Sequence, residues 1–184
     1  MKNRIDIKND GKNVYATLHV KANPIGIIIL MTLVAIAFAF FAALAWTAVD
    51  DAPVYIFPLL IIGGLLAAFP GRYLVWNLAG KELLIVNTKT ISYHYNYGLF
   101  KTNMKTLNFN SLALGFEPEQ SDKGHQKGNL VFYNYREDTG LPEVLHATTV
   151  LLEKEKIEEL DLEIRRLFEK ELIETSPFLD FSLN

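Results

Sequence analysis

From Ile25 to Val49 the chain carries no charged residue. Coiled as a helix, that run extends about 37 Å at 1.5 Å per residue, more than the roughly 30 Å hydrocarbon core of a bilayer. A helix at the surface of a water-soluble domain keeps one polar face, and this stretch has none. It therefore reads as a membrane span. The competing reading is a cleaved export signal, suggested by Ala43-Leu44-Ala45 and the basic residues upstream. It fails on length, because the apolar core of an export signal is about 7 to 15 residues.

A second apolar run, Val54 to Phe69, continues through Pro70-Gly71-Arg72 into Tyr73-Leu74-Val75-Trp76. The link from Asp50 to Pro53 leaves room only for a tight helical hairpin. Spans are expected at about 25–49 and 54–78, within a transmembrane hairpin covering 25–79. Tyr73 and Trp76 suit the bilayer interface, and Arg72 suits snorkelling toward headgroups. Lys8, Lys12 and Lys21 precede the first span, Arg72, Lys81 and Lys89 lie at or after the end of the second, and the link contains neither Lys nor Arg. This bias places both termini in the cytoplasm. Small residues at four-residue spacing, Ala35, Ala39 and Ala43, Gly63 and Ala67, Gly64 and Ala68, give faces on which helices approach closely. They serve packing within the hairpin or against a partner's helices.

Outside the spans the character changes. The first 24 residues hold five basic and two acidic side chains, whereas Lys81 to the end holds 12 basic and 17 acidic. A mildly acidic globular part lacks the concentrated positive surface that nucleic-acid binding needs. With no cysteine in the chain, disulfides, thiolate nucleophiles and Cys-ligated metals are excluded.

Residues 1–24 read as a β-hairpin. Ile5 and Ile7 alternate, Asn9-Asp10-Gly11-Lys12 supplies turn chemistry, and Val14, Ala16, Leu18 and Val20 alternate again. Such a hairpin needs a further sheet to be stable. Beyond the second span, strands are expected over about 81–147: Lys81 to Val86, Ile91 to Tyr97, Thr102 to Phe109, Ser111 to Phe116, Leu130 to Tyr135 and Val144 to Ala147. The period then changes. Ile157, Leu160, Ile164, Leu167 and Phe168 form one apolar face of a helix over about 153–172, with acidic and basic residues on the rest. Ser176-Pro177 ends it and opens the tail 176–184. The expected fold class is α+β: a transmembrane hairpin plus a cytoplasmic domain, 80–175, of antiparallel strands with a C-terminal helix.

This order of elements resembles bacterial membrane-anchored pleckstrin-homology-like proteins. The residues that carry the resemblance are Arg72 and Trp76 at the exit, Gly80-Lys81-Glu82 opening a strand, Asn87-Thr88-Lys89 turning into Ile91, and the helix Ile157 to Phe168, with the N-terminal hairpin in support. The resemblance implies a split barrel of two antiparallel sheets capped by the helix, no enzyme activity, and a module that binds lipids, peptides or protein surfaces. It also implies the bacterial inner (plasma) membrane as location. Fold by itself does not assign function. The basic cluster that reads phosphoinositides in eukaryotic relatives is not evident, since the first candidate hairpin offers only Lys89.

Motifs for chemistry are missing from the sequence. His19, His94, His125 and His146 show no helical i,i+4 pair and read as strand or loop surface residues. There is no nucleophile elbow, phosphate-binding glycine loop or dinucleotide fingerprint. Gly98 and Gly128 read as turn residues. Tyr93, Tyr95 and Tyr97, with Tyr133 and Tyr135, fall on one face of two strands and suit cross-strand packing. Glu117 to Gly128 reads as a long polar loop, whose Lys123, His125 and Lys127 could contact headgroups or a partner. Phe178 and Phe181 in the tail are candidates for the same role, as are Arg72 and Trp76 at the exit. No cofactor is expected. The expected partners are membrane lipids and another membrane protein or a second copy. The expected function is a scaffold or accessory subunit of a membrane complex, with lipid-headgroup sensing as the alternative and an enzyme acting on a membrane substrate as the remote one.

Overall fold

The computed structural model describes residues 5–51, 56–122, 125–136 and 138–175. It is α+β, with two antiparallel sheets and three helices among the described residues. Contacts divide the chain into two compact units, one holding 1–19, 82–95 and 102–184, the other 20–81 and 96–101.

In the first unit, β1 (Ile5–Asn9) and β2 (Val14–His19) form an antiparallel hairpin in which Ile5 faces Leu18 and Asn9 faces Val14. The tie it needs is present. β2 lies beside β3 (Lys81–Val86), followed by β4 (Thr90–Asn96) and β5 (Lys105–Asn108), giving a five-stranded sheet in sequence order. The second sheet has β6 (Leu112–Asp122), β7 (His125–Tyr135) and β8 (Pro142–Ala147) in order, with β9 (Leu152–Glu153) also paired to β7. Period-two alternation sets the core: Val14, Ala16 and Leu18 are buried on β2, and Leu84 and Val86 on β3. Phe132, Leu130, Ile91 and Leu152 complete it. The helix α3 (Lys154–Thr175) buries Ile157, Leu160, Ile164 and Leu167, the i, i+3, i+7, i+10 stripe of an amphipathic helix. Each buried Leu or Ile of this kind stabilises the domain by about 1.5–3 kcal/mol.

Four expectations are corrected here. The polar loop expected at Glu117 to Gly128 is mostly strand: β6 runs to Asp122 and β7 starts at His125. Glu117, Pro118 and Glu119 are exposed, so no buried face imposes an apolar alternation that would reveal the strands. Gly128 is not a turn residue. It lies inside β7 opposite Pro118, and a Cβ there would stand 2.1 Å from the Glu117 carbonyl oxygen, so the strands approach too closely for a side chain. His146 is not a surface residue, being only 6% exposed. The strand expected at Thr102 to Phe109 shortens to β5, while Gly98 does occupy a turn, with φ +89°.

The second unit is built on α1 (Pro24–Asp51) and α2 (Ile56–Ala79). Asn23 caps α1 by accepting from the Ile25 N–H at 3.0 Å, and Pro24 occupies the first helical position, where no N–H partner is needed. Both helices are long and apolar enough to cross a membrane, over Pro24–Leu44 and Ile61–Ala79. They pack through small residues: Gly63 is buried, and a Cβ there would stand 2.6 Å from the Phe41 ring. The Val20 N–H donates to the Gly80 carbonyl at 3.0 Å, tying the point where the chain enters the helical pair to the point where it leaves.

Candidate functional site

Two surfaces and one buried cluster stand out. The first surface is the exit end of α2. Arg72 donates from Nη2 to the Tyr97 hydroxyl at 3.1 Å, and its guanidinium carbon lies 5.1 Å from the Tyr97 ring centroid. Trp76, one turn further along the helix, sets its ring 4.9 Å from the same tyrosine. Phe100 also stacks on Tyr97, at 4.6 Å and 14°. Arg72 and Trp76 were thus expected as an exit pair, and the fold adds Tyr97 and Phe100 to them. The guanidinium has five N–H donors, so the tyrosine occupies only part of its capacity.

The second surface lies in the β domain. β6 ends its sheet: β7 pairs one edge and, among the described residues, no strand pairs the other. Beside it runs a groove of about 420 Å3 whose apolar lining is Leu112, Ala113, Leu114, Ile164 and Phe168, rimmed by Asp161, Arg165 and Glu169 of α3. Asp161 and Arg165 are themselves bridged at 2.8 Å. A free strand edge beside an apolar trough is suited to an extended peptide, which gains main-chain hydrogen bonds from the edge and side-chain burial from the trough.

The buried cluster joins β3 to the second sheet. Glu82 is fully buried; one carboxylate oxygen shares a 2.6 Å hydrogen bond with His146 Nε2, and the other accepts from the Thr149 N–H and Oγ1, each at 2.8 Å. Tyr93 stacks on the His146 ring at 3.9 Å. Both carboxylate oxygens are therefore satisfied, which a buried acid needs to remain tolerable. The sequence placed Glu82 only at the opening of a strand and read His146 as a surface residue, although the signal is there: Glu82 shares a strand face with Leu84 and Val86.

Of the other expected residues, only His125 and Lys127 lie among those described. Lys127 sits within β7 opposite Glu153 and Gln120, and His125 opens the same strand. Lys123, Phe178 and Phe181 lie outside the described residues. Among the described residues, no group of three or more His, Asp or Glu is placed to hold a metal ion. No protein-family model matches the chain, and no curated protein matches it.

Proposed function

We propose that this protein is a non-enzymatic, membrane-anchored interaction module: a pleckstrin-homology-like domain held at the cytoplasmic face of a bacterial inner membrane by the α1–α2 hairpin, with both termini cytoplasmic, and acting as scaffold or accessory subunit of a membrane complex. The observation that carries the reading is the outward display of apolar side chains along the helical pair. Phe38 is 72% and Trp46 82% exposed, a surface that lipid accommodates and water does not. Such an anchor confines the domain to a thin layer beside the bilayer and raises its effective concentration for partners there. The β6 edge and its groove supply the docking face, and the partner is an extended segment of a neighbouring membrane protein with alternating apolar side chains.

A photo-crosslinking residue at Leu114, in the full chain in cells, tests this. One discrete adduct with a membrane protein is expected, and it should weaken when Phe168→Glu places a charge in the trough. Adducts indistinguishable from those formed at Thr139, on the β7–β8 turn, would sink the docking reading. An adduct at twice the chain mass would make a second copy the partner.

Lipid contact is the second reading, through Lys123, His125 and Lys127 or through the region around Arg72, and the packing of Arg72 and Trp76 on Tyr97 favours the latter.

A further inference from the structure

The turn between β4 and β5 is unlike others in the protein. Asn9 to Lys12, Asn87 to Lys89 and Asp138 to Gly140 are built from Asn, Asp, Gly, Thr and Lys, the ordinary chemistry of turns in water. Between Asn96 and Lys101 stands Tyr97-Gly98-Leu99-Phe100 instead, with Leu99 83% and Phe100 46% exposed.

This turn holds its shape. The Tyr97 N–H donates to the Phe100 carbonyl at 2.9 Å, the Gly98 N–H donates to Asn96 Oδ1 at 2.9 Å, and Asn96 bridges to Lys101. It also belongs to the compact unit of the helices rather than to that of the strands it connects. A Cβ on Gly98 would stand 2.8 Å from the Ala79 side chain, so the turn backbone lies against the last residue of α2. From there the Tyr97 side chain reaches back to Trp76 and Arg72. The aromatic and arginine side chains are those that favour a membrane–water interface, and the exposed apolar pair is held beside them.

We propose that residues 97–101 form a second point of membrane attachment: Leu99 and Phe100 enter the headgroup–acyl boundary beside α2, and Arg72 and Lys101 contact lipid phosphates there. The proposal rests on the hairpin being a membrane anchor. The occupant follows from continuity with that anchor, since the turn is packed on the end of a helix long and apolar enough to cross a membrane. Its basic residues match the charge of phosphates. Its consequence is mechanical, because a helical hairpin alone leaves the chain free to pivot where it leaves the bilayer, and a rigid inserted turn removes that freedom.

The chain has no cysteine, so Leu99→Cys, Phe38→Cys and Thr139→Cys each give one labelling site for an environment-sensitive fluorophore in the full-length protein in phosphatidylglycerol/phosphatidylcholine vesicles. The expected result is quenching by lipids labelled near the headgroup that is several-fold stronger at position 99 than at 139, with position 38 quenched by lipids labelled deep in the acyl chain. Deep quenching at 38 together with a water-like, unquenched probe at 99 would overturn the attachment and leave the anchor standing. Equal quenching at 99 and 139 would also overturn it, since the domain as a whole would then lie on the bilayer. An unquenched probe at 38 would remove the anchor reading and this proposal with it.

Discussion

Phe38 and Phe132 are the same residue in opposite settings. The first, on α1, is 72% exposed; the second, on β7, is fully buried. The contrast extends to whole regions. In the β domain apolar side chains turn inward with period two on the strands and in a helical stripe on α3, and acidic and basic residues cover the outside. Along α1 the pattern has no inside: Ile28, Leu33, Ile36, Phe38 and Phe40 are all more than half exposed. One chain thus shows two burial patterns. Burying apolar area away from water organises the domain, whereas α1 and α2 meet through close backbone approach, as at Gly63.

The most direct way to break this comparison is to truncate both phenylalanines. Phe132→Ala should cost about 3–5 kcal/mol of domain stability, the usual result of emptying a core aromatic site. Phe38→Ala should leave the domain's urea midpoint where it was. Both are measured on the full chain in nanodiscs, by the near-ultraviolet signal of the domain tyrosines. Equal shifts would mean that the two regions share one core, and the contrast would fail.

A reversed substitution sharpens the other half. Ile36, 61% exposed on α1, lies within the apolar run. Ile36→Arg places a charge near the centre of the span and should disfavour insertion by about 2.5–3.5 kcal/mol. The expected readout is a smaller fraction of carbonate-resistant, membrane-integrated protein. Unchanged integration would argue that α1 does not face lipid at that position.

These two regions also differed in how legible they were. The two long apolar helices could be read from the sequence because a long run of apolar residues is a signal that needs no partner to interpret. α3 was legible for a related reason: Ile157, Leu160, Ile164 and Leu167 repeat along one element. The long β6–β7 hairpin was not, since its distal half has exposed residues such as Glu117 and Glu119 and so no apolar alternation. The Glu82–His146 pair was hidden by residue type. Glu and His are ordinarily surface residues, and only the strand face shared with Leu84 and Val86 betrays the carboxylate. Of the cluster at the C-terminal end of α2, Arg72 and Trp76 were singled out in the sequence, but Tyr97 and Phe100 join them through tertiary contact alone. Leu99 and Phe100 stood unremarked between two expected strands, and their exposure emerges only in the folded turn.

The smallest expected effect concerns pH, and it follows from a carboxylate in the β domain. Asp10 in the β1–β2 turn accepts from the Lys12 N–H at 2.9 Å and the Asn13 N–H at 2.6 Å, and these backbone donors, with Tyr15 Oη at 3.1 Å, hold its carboxyl below the ordinary aspartate value. A carboxyl lowered by folding stabilises the folded state above its unfolded pKa, and that contribution fades as pH falls through the folded value. Asp10→Asn keeps an acceptor oxygen and removes the titration. The stability gap between the parent chain and Asp10→Asn should therefore be constant well above the ordinary aspartate value of about 4 and shrink as pH falls below it, read as urea midpoints of the domain. A gap that stays constant into acid would show that the turn does not sense its own carboxylate. Helicity over Ile25 to Val49 should stay level over the same range, because that run contains nothing that can gain or lose a proton.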